Sequence, residues 1–341
     1  MSTPTMGSET VGHLSDETVP GDEPPAKKRQ VSGKSPIQIA LGRLRKDKVA
    51  MTCFTIVMLF VLVAIFADVL QNLFDVTTEP GNPAQQLNPM NELLPYKGPP
   101  SGGFDPAHPF GVAPKTATDN LAVWLAGCRT SLLIASLATL VASIIGITLG
   151  LIAGFVGGVV DKAISFVIDF FLTIPFLLLA LTLAPIINQR FALKPDLYEK
   201  AQLWSLVAIL AFFGWMGVAR LVRGEVLSLR EREFILSARV IGMPTTRIMV
   251  KELLPNLVAP IVVAVSLMLP AFIAAEAGLA YLGIGITQGN SWGQTILRAS
   301  NYYDDYALYF WEPLLGIVIL VVALNLLGDA IRDAVDPKTR R

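Results

Sequence analysis

Six apolar runs in the chain are each long enough to cross about 30 Å of hydrocarbon as a helix. They fall at about 49–70, 130–156, 163–187, 203–221, 257–282 and 313–332. In hydrocarbon every backbone N–H and C=O must pair within its own segment, so helices are the economical way to span at this length. The pattern predicts an all-α integral membrane protein with six transmembrane helices. Between the fourth and fifth runs the periodicity changes. There the chain reads EREFILSARVIGMPTTRIMVKELLPN, residues 231–256. Leu227, Phe234, Ala238 and Ile241 recur at helical spacing up to Gly242, the residue type that takes the left-handed position closing a helix. Pro244 stands where a new helix can begin, since the first turn has no N–H bond to lose. That second helix carries Ile248, Met249, Leu253 and Leu254 against Arg247, Lys251 and Glu252, and Pro255 marks the passage into the next span. A helix, a sharp turn and a second helix are more than two spans need as a connector. The apolar face of such an element must be buried in the lipid interface, on its own bundle or in a partner protein.

Composition agrees with the pattern: 53% of the 341 residues are hydrophobic and 16% charged, far from the balance of a soluble domain. Net charge is zero, so no global field points to nucleic acid, and the placement of the charges matters instead. Lys27, Lys28, Arg29, Lys34, Arg43, Arg45, Lys46 and Lys48 precede the first span. Arg332, Lys338, Arg340 and Arg341 follow the last, and Arg220, Arg223, Arg230, Arg232, Arg239, Arg247 and Lys251 surround the helical pair. Residues 71–128 hold only Lys97 and Lys115. Because positive side chains resist translocation, this asymmetry places both termini and the helical pair in the cytoplasm and residues 71–128 outside.

Residues 1–35 are rich in Ser, Thr, Pro, Gly and charge and read as a disordered cytoplasmic tail without the apolar core of a signal peptide. Residues 36–70 form a basic segment and first span, and 71–128, with nine prolines, an extracytoplasmic loop too long for a simple connector. It is either a lid or docking surface, or an irregular mobile loop. Residues 129–338 complete the bundle, with the paired helices at about 225–256.

Within the spans, Gly146, Gly150 and Gly154 share one helical face and allow a close crossing, fixed or sliding. Pro175, Pro260 and Pro270 interrupt helical bonding and predict kinks. Asp169, Glu276 and Asp329 are acids within the spans and so the gating candidates. All three lie toward helix ends, where interfacial roles compete with gating. Trp204, Phe212, Phe213, Trp215 and Met216 give the fourth span an aromatic stretch, lining a path or forming a belt. Cys53 and Cys128 have no metal or redox spacing and read as small buried hydrophobes.

The helical pair resembles the coupling, or EAA, loop of ABC importer permeases. Leu236, Ser237 and Ala238 occupy the E-A-A positions, and Gly242, Ile248, Leu254, Pro255 and Asn256 match, with Met243 and Pro244 in the turn. Leu236 replaces the usual acid, and Glu252 stands where that family often has His. The likeness covers about residues 36–338 and narrows to the C-type permease subunit of dipeptide and oligopeptide importers. It is carried by GRLRKDKVAMTCFTIVMLFVLVAIFADVL and by HPFG at 108–111, followed by Asp119, Gly127 and Arg129-Thr-Ser-Leu. It continues in GLAYLGIGI, in SWG at 291–293 and in NLLGDAIRDAVDP at 325–337. One run departs: VAPKTAT stands after HPFG in place of the family's T-D-E-L-G-R. The resemblance implies a five-helix type I importer core of the MetI-like kind plus an N-terminal anchor helix. It also implies a heterodimer with a second permease subunit, one or two cytoplasmic ABC ATPase subunits holding ATP and magnesium, and an extracytoplasmic peptide-binding protein. No cofactor or metal is expected on this chain itself. Nickel, glutathione or similar solutes are alternative cargoes within the same plan.

The residues support this division of labour on their own. Coupling to ATP needs a G-x-x-x-x-G-K-S/T loop; the nearest approach, Gly33-Lys34-Ser35, has Lys28 where the first glycine belongs. An intramembrane enzyme is disfavoured because the only histidines, His13 and His108, lie outside the spans, and Gly328-Asp329 lacks the other glycine of a G-x-G-D protease. A secondary carrier or channel fits six broken helices, but has no need of the helical pair.

Overall fold

The computed structural model describes residues 36–90, 93–100, 102–287 and 289–335. The expected tail 1–35 and the terminal Lys338, Arg340 and Arg341 lie outside the described residues. A short helix, α1 (Pro36–Leu44), precedes α2 (Lys48–Ile65), which begins where the Asp47 carboxylate accepts the N–H groups of Val49 (2.8 Å) and Ala50 (3.1 Å). At Phe66 the chain turns into α3 (Ala67–Phe74), tied down by an Asp68–Arg129 ion pair of 2.7 Å.

The segment that follows carries a few short regular elements joined by turns. It contains α4 (Pro83–Gln86) and a two-stranded antiparallel ribbon of β1 (Leu87–Asn88) and β2 (Leu94–Pro95), in which Leu87 faces Pro95 and Asn88 faces Leu94. Its anchor is Asp119. One carboxylate oxygen accepts the Ala122 N–H at 3.0 Å and the other meets His108 Nδ1 at 2.7 Å. Capping there starts α5 (Asn120–Val156) ten residues before the apolar run that predicts it, because the cap, and not the hydropathy, sets the helix end. Asn120 Nδ2 donates to the Phe110 carbonyl (3.0 Å) and the Tyr306 hydroxyl (3.2 Å), which itself donates to Phe110. Burial pushes the Tyr306 phenol above its ordinary range, which keeps it a neutral donor.

The third apolar run is not one helix. It forms α6 (Gly158–Leu172) and α7 (Phe176–Phe191), bent by 85° across Thr173, Ile174 and Pro175. The kink expected at Pro175 is thus a full break: the proline removes an N–H and its ring clashes with the preceding turn, and the Thr173 hydroxyl donates to the Phe170 carbonyl (2.6 Å) to close α6. Next come α8 (Pro195–Leu229), α9 (Glu233–Val240) and α10 (Thr245–Ile248). A π-helical turn, Met249–Leu253, leads into α11 (Leu254–Tyr281). Sequence reading takes Pro255 as a boundary, but the helix continues through it from Thr245 to Tyr281. The widened turn just before, in which Leu254 N–H reaches the Met249 carbonyl five residues back, relieves the crowding a proline imposes. Pro260 and Pro270 likewise sit inside α11. Finally α12 (Trp292–Ala299), a 3₁₀ turn (Ser300–Tyr302) and α13 (Ala307–Val335) close the chain.

Among the described residues five helices are long and apolar enough to cross a membrane, and the pair α6–α7 makes a sixth when it counts as one span. Successive crossings put α1, α9 and the end of α13 at one end of the bundle, the hairpin end, and residues 75–119 with α12 at the other, the loop end. The centre of the core is an apolar cluster of α2, α5, α7, α8, α11 and α13 side chains. Phe60, Trp124 and Trp292 of α12 pack against it in tilted and edge-on contacts, with the Trp124 and Trp292 ring centres 5.4 Å apart. Cys53 and Cys128 are buried thiols.

Candidate functional site

The hairpin end is built on the α5–α8 crossing. A Cβ at Gly146 would lie 2.7 Å from the Trp215 carbonyl oxygen, and one at Gly150 the same distance from that of Ala219. At Gly154 it would meet Val226 at 2.7 Å. Only glycine lets the two backbones approach this closely. Arg230 Nη1 then donates to the Gly154 carbonyl (3.2 Å), and the Arg239 guanidinium lies 4.8 Å from the centre of the Phe155 ring. Leu151, Phe155, Val222 and Val226 make the apolar floor under the helical pair.

On that floor sit Ile235 and Ala238 of α9, Ile248, and Leu253 of the π turn, all buried. The turn between the helices is set by Gly242, whose φ of +80° is left-handed. Gly242 N–H donates to Arg239 O (3.0 Å) and Met243 N–H to Ala238 O (3.1 Å), the paired bonds of a Schellman closure. Pro244 follows in extended conformation as the N-cap of α10. Leu236, Ser237, Gly242, Pro244 and Pro255 are exposed, while Met243 and Leu254 are half-buried.

The buried face is not the one the periodicity selects. Phe234 and Ile241 point outward and Ile235 points in, so the helix is rotated by about one residue from the expected stripe. Val240 and Ile241 are 88% and 81% exposed, with Phe234, Leu236 and Val250 also open. Val240 carries no signal of this in the sequence, since an apolar residue at a helix end looks the same whether it faces inward or outward.

Arg220 and Arg223 of α8 fix where this element sits. Arg223 forms a two-point pair with Asp161 of α6, its Nη2 2.8 Å from the second oxygen and its Nε on the first, and Arg220 pairs with Asp169 at 2.5 Å. Charges of this kind mark the edge of the hydrocarbon. Leu229 lies six residues past Arg223, about 9 Å further along the helix, so α9 begins beyond that edge. Its exposed apolar side chains are uncovered in the isolated chain.

The gating candidates do not form one group. Asp169 is held by Arg220, and Asp329 is exposed on α13. Glu276, expected at an interfacial helix end, is 0% exposed: α12 folds back over α11, and Ser131 of α5 donates to Glu276 Oε2 at 2.9 Å. Its Oε1 has no partner among the described residues. Of the aromatic stretch, Trp215 and Met216 are buried, Phe212 and Phe213 half-buried, and Trp204 exposed.

A multi-span helical bundle with a glycine-welded crossing and a buttressed helical pair at one end defines a polytopic membrane protein. Comparison with known families makes this specific. Residues 146–341 match the binding-protein-dependent transport system inner membrane component, and residues 35–99 match the N-terminal transmembrane domain of oligopeptide transport permease C. The chain belongs to this family of inner membrane components, as a C-type permease. It is 31% identical to the oligopeptide transport system permease protein OppC of Bacillus subtilis over 89% of this chain and 90% of that one. It is 32% identical to the dipeptide transport system permease protein DppC of Alkalihalophilus pseudofirmus over 96% and 98%. A chain of the inward-facing MetNI methionine ABC transporter has the same fold, with a TM-score of 0.51 and 20% identity over 63% of this chain and 96% of that one.

Proposed function

We propose that this chain is one of two transmembrane subunits of an ATP-driven importer that moves short peptides inward. The cargo reading is supported by the relatives, which are named as oligopeptide and dipeptide permeases. In this reading the hairpin end is cytoplasmic, consistent with its arginines and with the basic residues ahead of α2. The loop end faces the extracytoplasmic binding protein, residues 36–70 anchor the chain, and 129–338 form the permease core with its second subunit. ATP and magnesium reside on partner ATPase subunits.

The observation that carries the coupling is the exposed apolar edge of α9, centred on Val240 and Ile241 and rigidly buttressed from behind by Ile235, Ala238 and Ile248. Apolar surface held rigid in water is a docking surface for protein. Closure of the ATPase pair would move this edge. The motion reaches the bundle in two ways: through α8, which is welded to α5, and through the unbroken helix from Thr245 to Tyr281.

Ile241→Asp and Val240→Asp test this, because both positions are exposed and the changes leave the buttress intact. Co-purification of the ATPase subunits should fall at least about tenfold and uptake should cease, at unchanged membrane levels of the chain. Gly242→Pro should do the same by removing the turn. Full uptake in the two aspartate variants would refute the coupling role.

A further inference from the structure

VAPKTAT, residues 112–118, is the run that departs from the family pattern, and the fold gives it a task. In it Lys115 (φ +66°) and Ala117 (φ +54°) both take left-handed backbone, which residues other than glycine adopt only where the surroundings impose it. The turn carries Lys115 to a position 5.5 Å above the centre of the Tyr302 ring. Across from it, Arg298 and Tyr302 stand four residues apart, on one side of the segment that runs from α12 into the 3₁₀ turn. A cavity of about 580 Å³ lies between them, at the loop end and within the size range of small-molecule sites.

Three features mark it as a built site. Arg298 donates one N–H to the Thr287 carbonyl (3.2 Å), which holds the guanidinium at the wall. Tyr302 is only 8% exposed, so its ring is a fixed wall beneath the Lys115 ammonium. Glu79 is the one acid among the residues lining the cavity, set against the two cations.

We propose that this cavity binds the free carboxylate of a short zwitterionic peptide at the outer face of the transporter. Lys115 and Arg298 hold the carboxylate, and Glu79 receives the ammonium group. A guanidinium and an ammonium on opposite walls suit a carboxylate set between them, and Glu79 in the same cavity opposes a more highly charged anion. The concave shape favours a small ligand over a flat protein surface. This inference rests on the peptide reading of the cargo, and deepens it by naming the group recognised.

The test uses the assembled transporter in lipid nanodiscs without its binding protein, with trialanine, trialanine amide and acetate as probes in titration calorimetry. Trialanine should bind, and its amide at least about tenfold more weakly. Lys115→Gln and Arg298→Gln should each weaken trialanine about tenfold. Equal binding of trialanine and its amide, or unchanged affinity in both charge variants, would overturn the site. Acetate binding that the charge variants abolish, with no response to trialanine, would uphold the carboxylate site and refute the peptide cargo. Loss of binding-protein capture in the Lys115→Gln transporter, with none of the three probes bound, would overturn the site in favour of a protein contact.

Discussion

Gly150 carries the shortest link between sequence and mechanism. Its hydrogen faces the Ala219 carbonyl, where a Cβ would intrude at 2.7 Å on backbone that has nowhere to move. Gly150→Val should therefore destabilise the chain by about 1–3 kcal/mol or more in a detergent unfolding titration. Gly217→Ala, where space is open, should stay within about 0.5 kcal/mol of the parent. The ion pairs rank by the same reasoning. Asp161 meets Arg223 at two points in a half-buried setting, so Asp161→Asn should cost about 1.5–3 kcal/mol. Asp169 and Arg220 are both largely exposed, and Asp169→Asn should cost less than about 1 kcal/mol. The same unfolding titration checks the order, and equal losses would contradict it. Asp169 stands out in the sequence as an acid inside an apolar run. Asp161 lies just before that run and attracts no notice, because its weight comes from an arginine 62 residues away.

At the scale of elements, the sequence reveals turns better than faces. Gly242 followed by Pro244 announces both the end of one helix and the start of the next, since each residue type is suited to a backbone conformation locally. The φ of +80° with open space around the glycine makes the cost of substitution purely conformational. Gly242→Ala should destabilise the hairpin by about 1–2 kcal/mol, read as faster amide exchange in α9 and α10, and Gly242→Asn by less. Which side of α9 is buried depends on Leu151, Phe155 and Val226, which lie far away in the chain, so periodicity alone puts Ile241 inside when it is outside. Proline shows the same split between local and distant causes. Pro175, Pro255, Pro260 and Pro270 look alike in the sequence, yet only Pro175 ends a helix, with a bend of 85°, while α11 continues through the other three.

For the whole molecule, the six apolar runs and the arginine-rich intervals make the membrane class legible, because hydrocarbon thickness and helix rise leave few alternatives. Helix ends are less legible: Asp119 starts α5 outside the apolar run, through a contact with His108 that forms only once the 75–119 segment has folded. Glu276 is hidden by α12 returning over α11, which no local pattern predicts. In the proposed function the apolar edge of α9 meets a motor subunit. The most direct test is a photo-crosslinking amino acid placed at Ile241 in native membranes, with Leu193, also exposed but at the loop end, as the control. An adduct with the ATPase subunit is expected from position 241 and none from 193. Adducts from 241 with lipid alone, while the ATPase remains bound to the complex, would contradict it.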